Sequence, residues 1–208
     1  MEMNDLLEEM VRLYSEGRRA MPDSGQFAVT RETQKLVEFE AIQQALEWLR
    51  KNRGYSELES YVQPDPPDVR ATLVDGQVLD FEFASVTHQE TMKLIKDREK
   101  KLGTQGEYQD WTAPVFQDWV RKLVADKDRK YRPHLKKGLV AKPLILVLGS
   151  DSRTTHAGLA DGLQVESDVF DEILLHLGYI PDPTGARDGE SDYCITDIKR
   201  VENGCASI

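Results

Sequence analysis

Apolar and polar residues alternate along residues 69–83: Val69, Ala71 and Leu73 come before an Asp75-Gly76 turn signal, and Leu79, Phe81 and Phe83 follow it. Period-two alternation on both sides of a glycine-containing turn predicts a β-hairpin with one buried face. A three-residue loop of Asp75, Gly76 and Gln77 sets Leu73 opposite Leu79, Ala71 opposite Phe81 and Val69 opposite Phe83, six apolar residues on one face. The other face then carries Asp68, Arg70 and Thr72 opposite Ala84, Glu82 and Asp80. A two-residue loop would pair Asp68 with Phe83 and scramble the apolar face.

Elsewhere the period is helical or the run is continuous. Residues 3–19 have an amphipathic spacing, with Leu6, Met10, Leu13 and Tyr14 on one side, and residues 20–29 break it. A second helix is predicted over 32–52, with Gly54 just past its end. Residues 56–63 suit a strand leading into the Pro64-Asp65-Pro66-Pro67 turn. Residues 88–102 predict a basic helix, and residues 111–126 another, with Val115, Trp119 and Leu123 at four-residue spacing. Residues 127–138 are assigned to a charged connection. The run Leu144 to Leu148 is too short for a typical helix and suits a strand buried on both faces. Residues 150–164 predict an exposed loop, 167–177 a capped helix ending at Gly178, and 193–201 a last strand. The expected architecture is α/β, a central mixed sheet flanked by helices.

The chain has 208 residues, enough for one well-buried domain with insertions. No run approaches the ~18 apolar residues that cross a bilayer, and the acidic start lacks the basic-then-apolar pattern of a signal segment. A cytoplasmic protein with no membrane partner is expected. Cys194 and Cys205 lack metal-ligand spacing and suit free thiols in a reducing compartment. The net charge of −10 argues against holding nucleic acid by bulk electrostatics. Its distribution changes that picture, because residues 93–137 contain 13 Lys and Arg against 7 Asp and Glu, between two acidic segments. Such a segment is either a solvated helical face or a phosphate-binding surface.

Helix, Pro-Asp strand, hairpin, acidic strand, helix and buried strand, in that order over residues 32–149, resemble the core of the PD-(D/E)XK phosphodiesterase superfamily, the restriction-endonuclease-like fold. On that resemblance residues 1–208 form a single domain, with 1–30 a helical extension and 150–208 a C-terminal loop, helix and strand. The resemblance implies a nuclease that hydrolyses DNA with Mg²⁺ or Mn²⁺. Asp68 matches the first motif acid. Two alignments compete for the second half: Glu82-Phe83-Ala84, which loses the motif lysine, and Asp80-Phe81-Glu82, which puts an acid in the lysine position. Asp68, Glu82 and Asp80 are the implied metal ligands and catalytic acids. Lys93 or Lys96, on the helix after the acidic strand, could supply the missing ammonium. DNA would meet segment 93–137, and domains of this type often work as homodimers on duplex DNA.

The preceding helix bears on the same site. At ~100° per residue, Phe39, Ile42, Ala45, Leu46 and Leu49 centre on one face and Glu38 falls within it, while Glu40 points away. A carboxylate there needs a counter-charge, and a shared metal would provide one. The alternatives for Glu38 are a favourable interaction with the helix dipole or an arginine partner. For the hairpin the structural alternative is a wet polar face with an Arg70–Glu82 cross-strand ion pair. If catalysis has been lost, the same fold would serve as a binding module for nucleic acid or a protein partner. His88, His134, His156 and His176 share no spacing that suggests a zinc site.

Overall fold

The computed structural model describes residues 31–86, 112–150, 157–179 and 193–199. The expected helices over 3–19 and 88–102, together with Lys93 and Lys96, lie outside these residues. The chain divides into two units, Met1–Ala41 and Ile42–Ile208. Helix α1, Arg31–Arg53, passes through the boundary. In the first unit Phe39 and Ala41 are buried, and Glu38 and Glu40 are half-buried.

The second unit is built on six strands: β1 Leu58–Val62, β2 Val69–Leu73, β3 Val78–Val86, β4 Leu144–Ser150, β5 Glu172–Tyr179 and β6 Tyr193–Asp197. They lie in sequence order across one sheet. The first three form an antiparallel meander, β3, β4 and β5 run parallel, and β6 returns antiparallel to β5. The connection from β3 to its parallel neighbour β4 contains helix α2, Ala113–Lys136. The architecture is therefore α/β with a mixed sheet, as the sequence predicts.

Strand side chains alternate between faces, so each face can be traced by parity. Ala84 and Val86 of β3, Leu144, Leu146 and Leu148 of β4, and Ile173, Leu175 and Leu177 of β5 form one cluster with Phe116, Val120, Val124 and Tyr131 of α2. The opposite face buries Val69, Ala71, Leu73, Leu79, Phe81, Ile145, Val147 and Leu174. Gln44 of α1 reaches His176 on that face. Residues Leu144 to Leu148 are all buried, as expected of a strand covered on both sides. No helix among the described residues is long and apolar enough to cross a membrane.

Three expectations are corrected. Residues 172–179 form β5 rather than the second half of a helix. Ser167 does accept hydrogen bonds from the Val169 and Phe170 amides, as a helix cap would, but these only turn the chain into the strand. Leucine favours a helix locally, yet the slot between β4 and β6 buries Ile173, Leu174, Leu175 and Leu177 on both faces, and that burial overrides the preference. Within 150–164, Leu159 and Leu163 are buried instead of exposed. Finally, α2 does not stop near residue 126 but continues to Lys136. Its buried stripe is Phe116, Val120, Val124 and Tyr131, whereas Val115 is half exposed and Trp119 and Leu123 are only partly covered.

Candidate active site at the head of the hairpin

The hairpin has the predicted faces but a different register. Val69 pairs with Phe81, Arg70 with Asp80, Ala71 with Leu79 and Thr72 with Val78. The loop is Val74-Asp75-Gly76, one residue earlier than expected. It is closed by Leu73 and Gln77 (N···O 2.8 Å), with Gly76 at φ 84° in the left-handed region that glycine tolerates. Asp75 fixes it further, accepting from Ser56 Oγ at 2.6 Å and from the Gln77 amide at 3.0 Å. The shift keeps every side chain on its face but moves Arg70 from opposite Glu82 to opposite Asp80.

Asp80 and Glu82 consequently meet different partners. Arg70 grips Asp80 with Nε at 2.7 Å and a terminal nitrogen at 2.8 Å, a two-point pairing of planar groups. Arg70 also donates to the Leu139 carbonyl, and the Ala141 amide donates to Asp80. Asp80 thus ties the hairpin to the chain between α2 and β4. It was expected among the metal ligands; in the structure its oxygens accept from Arg70 and from the Ala141 amide.

Glu82, only 2 % exposed, has Asp68 as a neighbour. Asp68 stands one residue before β2 and accepts from the Phe83 amide at 2.8 Å, which holds it at the head of the hairpin. Lys127 of α2 donates to Glu82 Oε1 and to the Phe83 carbonyl, the latter at 3.1 Å. The Tyr131 hydroxyl donates to Glu82 Oε2. Lys130, well exposed, brings its Nζ to 3.7 Å from Oε1. Burial pushes the Glu82 carboxyl up, the Asp68 charge pushes it further, and Lys127 draws it back, leaving it at about 7. The result is two adjacent carboxylates and a half-buried ammonium around the backbone of Phe83.

Phe83 itself is seated by a close approach. A β-carbon on Gly149 of β4 would lie 2.5 Å from the Phe83 ring, so only glycine leaves that ring its place. The amide and carbonyl that hold Asp68 and Lys127 belong to the residue that Gly149 accommodates.

Of the sequence-expected site residues, Asp68 and Glu82 come together and Asp80 is engaged by Arg70. Glu38 lies half-buried on α1 in the first unit. Lys127 and Tyr131 were missed because residues 127–138 read as a connection. The signal was present: continuing the stripe Phe116, Val120, Val124 by three and four residues reaches Lys127 and Tyr131. Among the described residues no group of three or more His, Cys, Asp and Glu is placed to hold a metal ion. His176, the buried histidine among the described residues, meets Gln44, and burial lowers its pKa to about 4.

Comparison of the chain with protein-family models, curated proteins and solved structures finds no match in any of the three.

Proposed function

We propose that this chain is a restriction-endonuclease-like, Mg²⁺- or Mn²⁺-dependent phosphodiesterase acting on DNA, with Asp68, Glu82 and Lys127 as its working residues. The observation that carries this reading is the Asp68–Glu82 carboxylate pair with the Lys127 ammonium on the same Glu82 oxygen and on the Phe83 carbonyl. The element order α1, three antiparallel strands, α2 and a parallel β4 supports it as well.

The donor set fits the ion. Mg²⁺ takes oxygen ligands and is usually held by one or two protein carboxylates, with waters and substrate phosphate oxygens completing the shell. The raised pKa of Glu82 comes first from burial and then from the Asp68 charge, and a divalent cation beside both acids would offset both. Asp68 and Glu82 would hold it, and when bound it supplies an acidified water and neutralises charge developing on the phosphate. The chain's own residues do the rest. Asp68 is aimed by the Phe83 amide. Lys127 carries a positive charge beside the carboxylates without contributing a ligand, the part a motif lysine plays in the superfamily; in the Glu82-Phe83-Ala84 alignment Ala84 occupies that motif position. Lys130, well exposed beside Glu82, offers an ammonium to an incoming phosphate. The basic segment 93–137, whose described part is α2 and its flanks, provides further phosphate contacts.

One observation favours a second reading. Glu82 accepts from Lys127 on one oxygen and from Tyr131 on the other, and in the Glu82-Phe83-Ala84 alignment Ala84 stands at the motif lysine, so an inactive binding module would keep these contacts as structure. Cleavage of supercoiled plasmid and of single-stranded DNA with Mg²⁺ or Mn²⁺ separates the two. Activity in the wild type that disappears in Asp68→Ala and Glu82→Ala supports the nuclease. A wild type inert on both substrates favours the binding module.

A further inference from the structure

The two flanks of α2 have different neighbours. On one, Gln117 donates to the Leu159 and Asp161 carbonyls, Asp128 accepts from Ser167 at 2.6 Å and Arg132 pairs with Asp168. On the other, Lys127 and Lys130 face Glu82. Residues four apart on a helix form a row that turns by about 40° per step. The row Val115, Trp119, Leu123, Lys127 runs along the second flank and ends in the candidate site. It starts at Val115, 50 % exposed, passes the half-buried Trp119 and Leu123, and finishes at the partner of Glu82. Trp119 stands ~12 Å along the axis from Lys127. Lys130, its side chain 60 % exposed, lies within about 20° of Trp119 around the helix. A partly wet apolar row thus leads to two ammoniums and a carboxylate pair.

We infer that this row receives unpaired bases, with Trp119 as a stacking platform and Lys130 on a phosphate, so that the form of DNA taken by the site is single-stranded. This rests on the reading that the Asp68–Glu82 site meets DNA. Surfaces that hold single strands combine cations that track the backbone with aromatic rings on which bases stack, and every base has a face to offer. In a duplex those faces are already stacked on one another, and most of what a protein meets is phosphate and sugar. Val115 and Leu123 have nothing to give a phosphate. A row that only sealed the core under α2 would favour neither form of DNA.

The test is binding by the full-length protein, read by fluorescence anisotropy in chelator, so that no strand is cut. The probes are a labelled oligothymidine and a linear duplex of the same length at one salt concentration. The wild type is expected to bind the single strand about fivefold or more tighter, the scale of one base stacked on an aromatic ring. Trp119→Leu, which keeps an apolar side chain against the core and removes the ring, is expected to lose that preference, and Trp119→Phe to keep most of it. A wild type that binds the duplex as tightly as the single strand would overturn the inference without recourse to a variant. So would an unchanged preference in folded Trp119→Leu. Cleavage with Mn²⁺ keeps this apart from the nuclease reading: a wild type that cuts DNA but shows no preference for the single strand overturns the inference and leaves the nuclease standing. A Trp119-dependent preference in a protein that cuts nothing supports the inference for a binding module and removes the nuclease. Supercoiled plasmid remains a substrate on this account, because negative supercoiling favours opening of the duplex. Absence of binding to either probe would overturn both.

Discussion

Asp80 and Glu82 stand two residues apart on one strand, face the same way and are both buried, yet they are held in opposite fashion. Asp80 meets a guanidinium fork and a backbone amide, so its charge is matched by donors fixed in geometry. Glu82 meets another carboxylate, and the ammonium that answers them comes from a separate helix. A matched buried acid holds the fold together. A mismatched one keeps a raised pKa, the kind of perturbation that clusters at functional sites. What separates the two is the position of one turn. With the loop one residue later, Arg70 would have faced Glu82 and neutralised the acid that now sits beside Asp68.

The largest effect should come from breaking the matched pair. Asp80→Asn leaves Arg70 and the Ala141 amide without their acceptor charge and should cost about 3 kcal/mol in urea unfolding. That is the low end for breaking a buried pair, because a third of the Arg70 side chain remains in water. Glu82→Gln should cost clearly less at pH 7.5, since it also removes carboxylate repulsion. Equal losses for the two variants would erase the distinction between them.

The pH dependence of stability sharpens the same contrast. The folded-state pKa of Glu82 lies above its ordinary value of 4.5, at about 7, so the folded state binds that proton more tightly and stability falls as pH rises from 4.5 through 7. The full shift corresponds to about 3 kcal/mol as an order of magnitude. His176, on the other face, acts in reverse: its pKa falls from 6.5 to about 4, so stability rises with pH across that window. The wild type should therefore show a shallow profile between pH 4.5 and 6.5. Glu82→Gln should gain stability from pH 5 to 7.5, and His176→Gln should lose it. Parallel profiles for the two variants would contradict these assignments.

A smaller effect is expected at Gly149. Gly149→Ala drives a methyl against the Phe83 ring, and overpacking of this kind costs about 1–3 kcal/mol. Because Phe83 holds both Asp68 and Lys127, the variant should also lose Mn²⁺ affinity, measured on protein confirmed as folded. Unchanged affinity would mean that the ring can move without disturbing the site.

Much of this was legible in the chain. Alternation fixed which hairpin residues share a face, because a period of two survives any even shift of register. It could not fix the register itself, since Asp75-Gly76-Gln77 and Val74-Asp75-Gly76 both bury the same apolar set and differ only in which acid Arg70 meets. The strand Glu172–Tyr179 was obscured by a serine cap signal and by leucines that suit either element, and only its place between β4 and β6 decides it. Lys127 and Tyr131 were hidden for a related reason. Charged residues crowd the second half of α2, and a lysine on a helix's buried side looks like solvent until the acid that it answers is known.

The central claim is that the ammonium beside the carboxylate pair comes from α2, at Lys127. The most direct measurement is Mn²⁺-dependent nicking of supercoiled plasmid by the wild type and Lys127→Ala, each at the same folded concentration. The account predicts nicking by the wild type and a loss of about 10²-fold or more in the variant, the scale of removing one positioned charge from a reacting centre. Wild-type nicking retained in full by Lys127→Ala would contradict it.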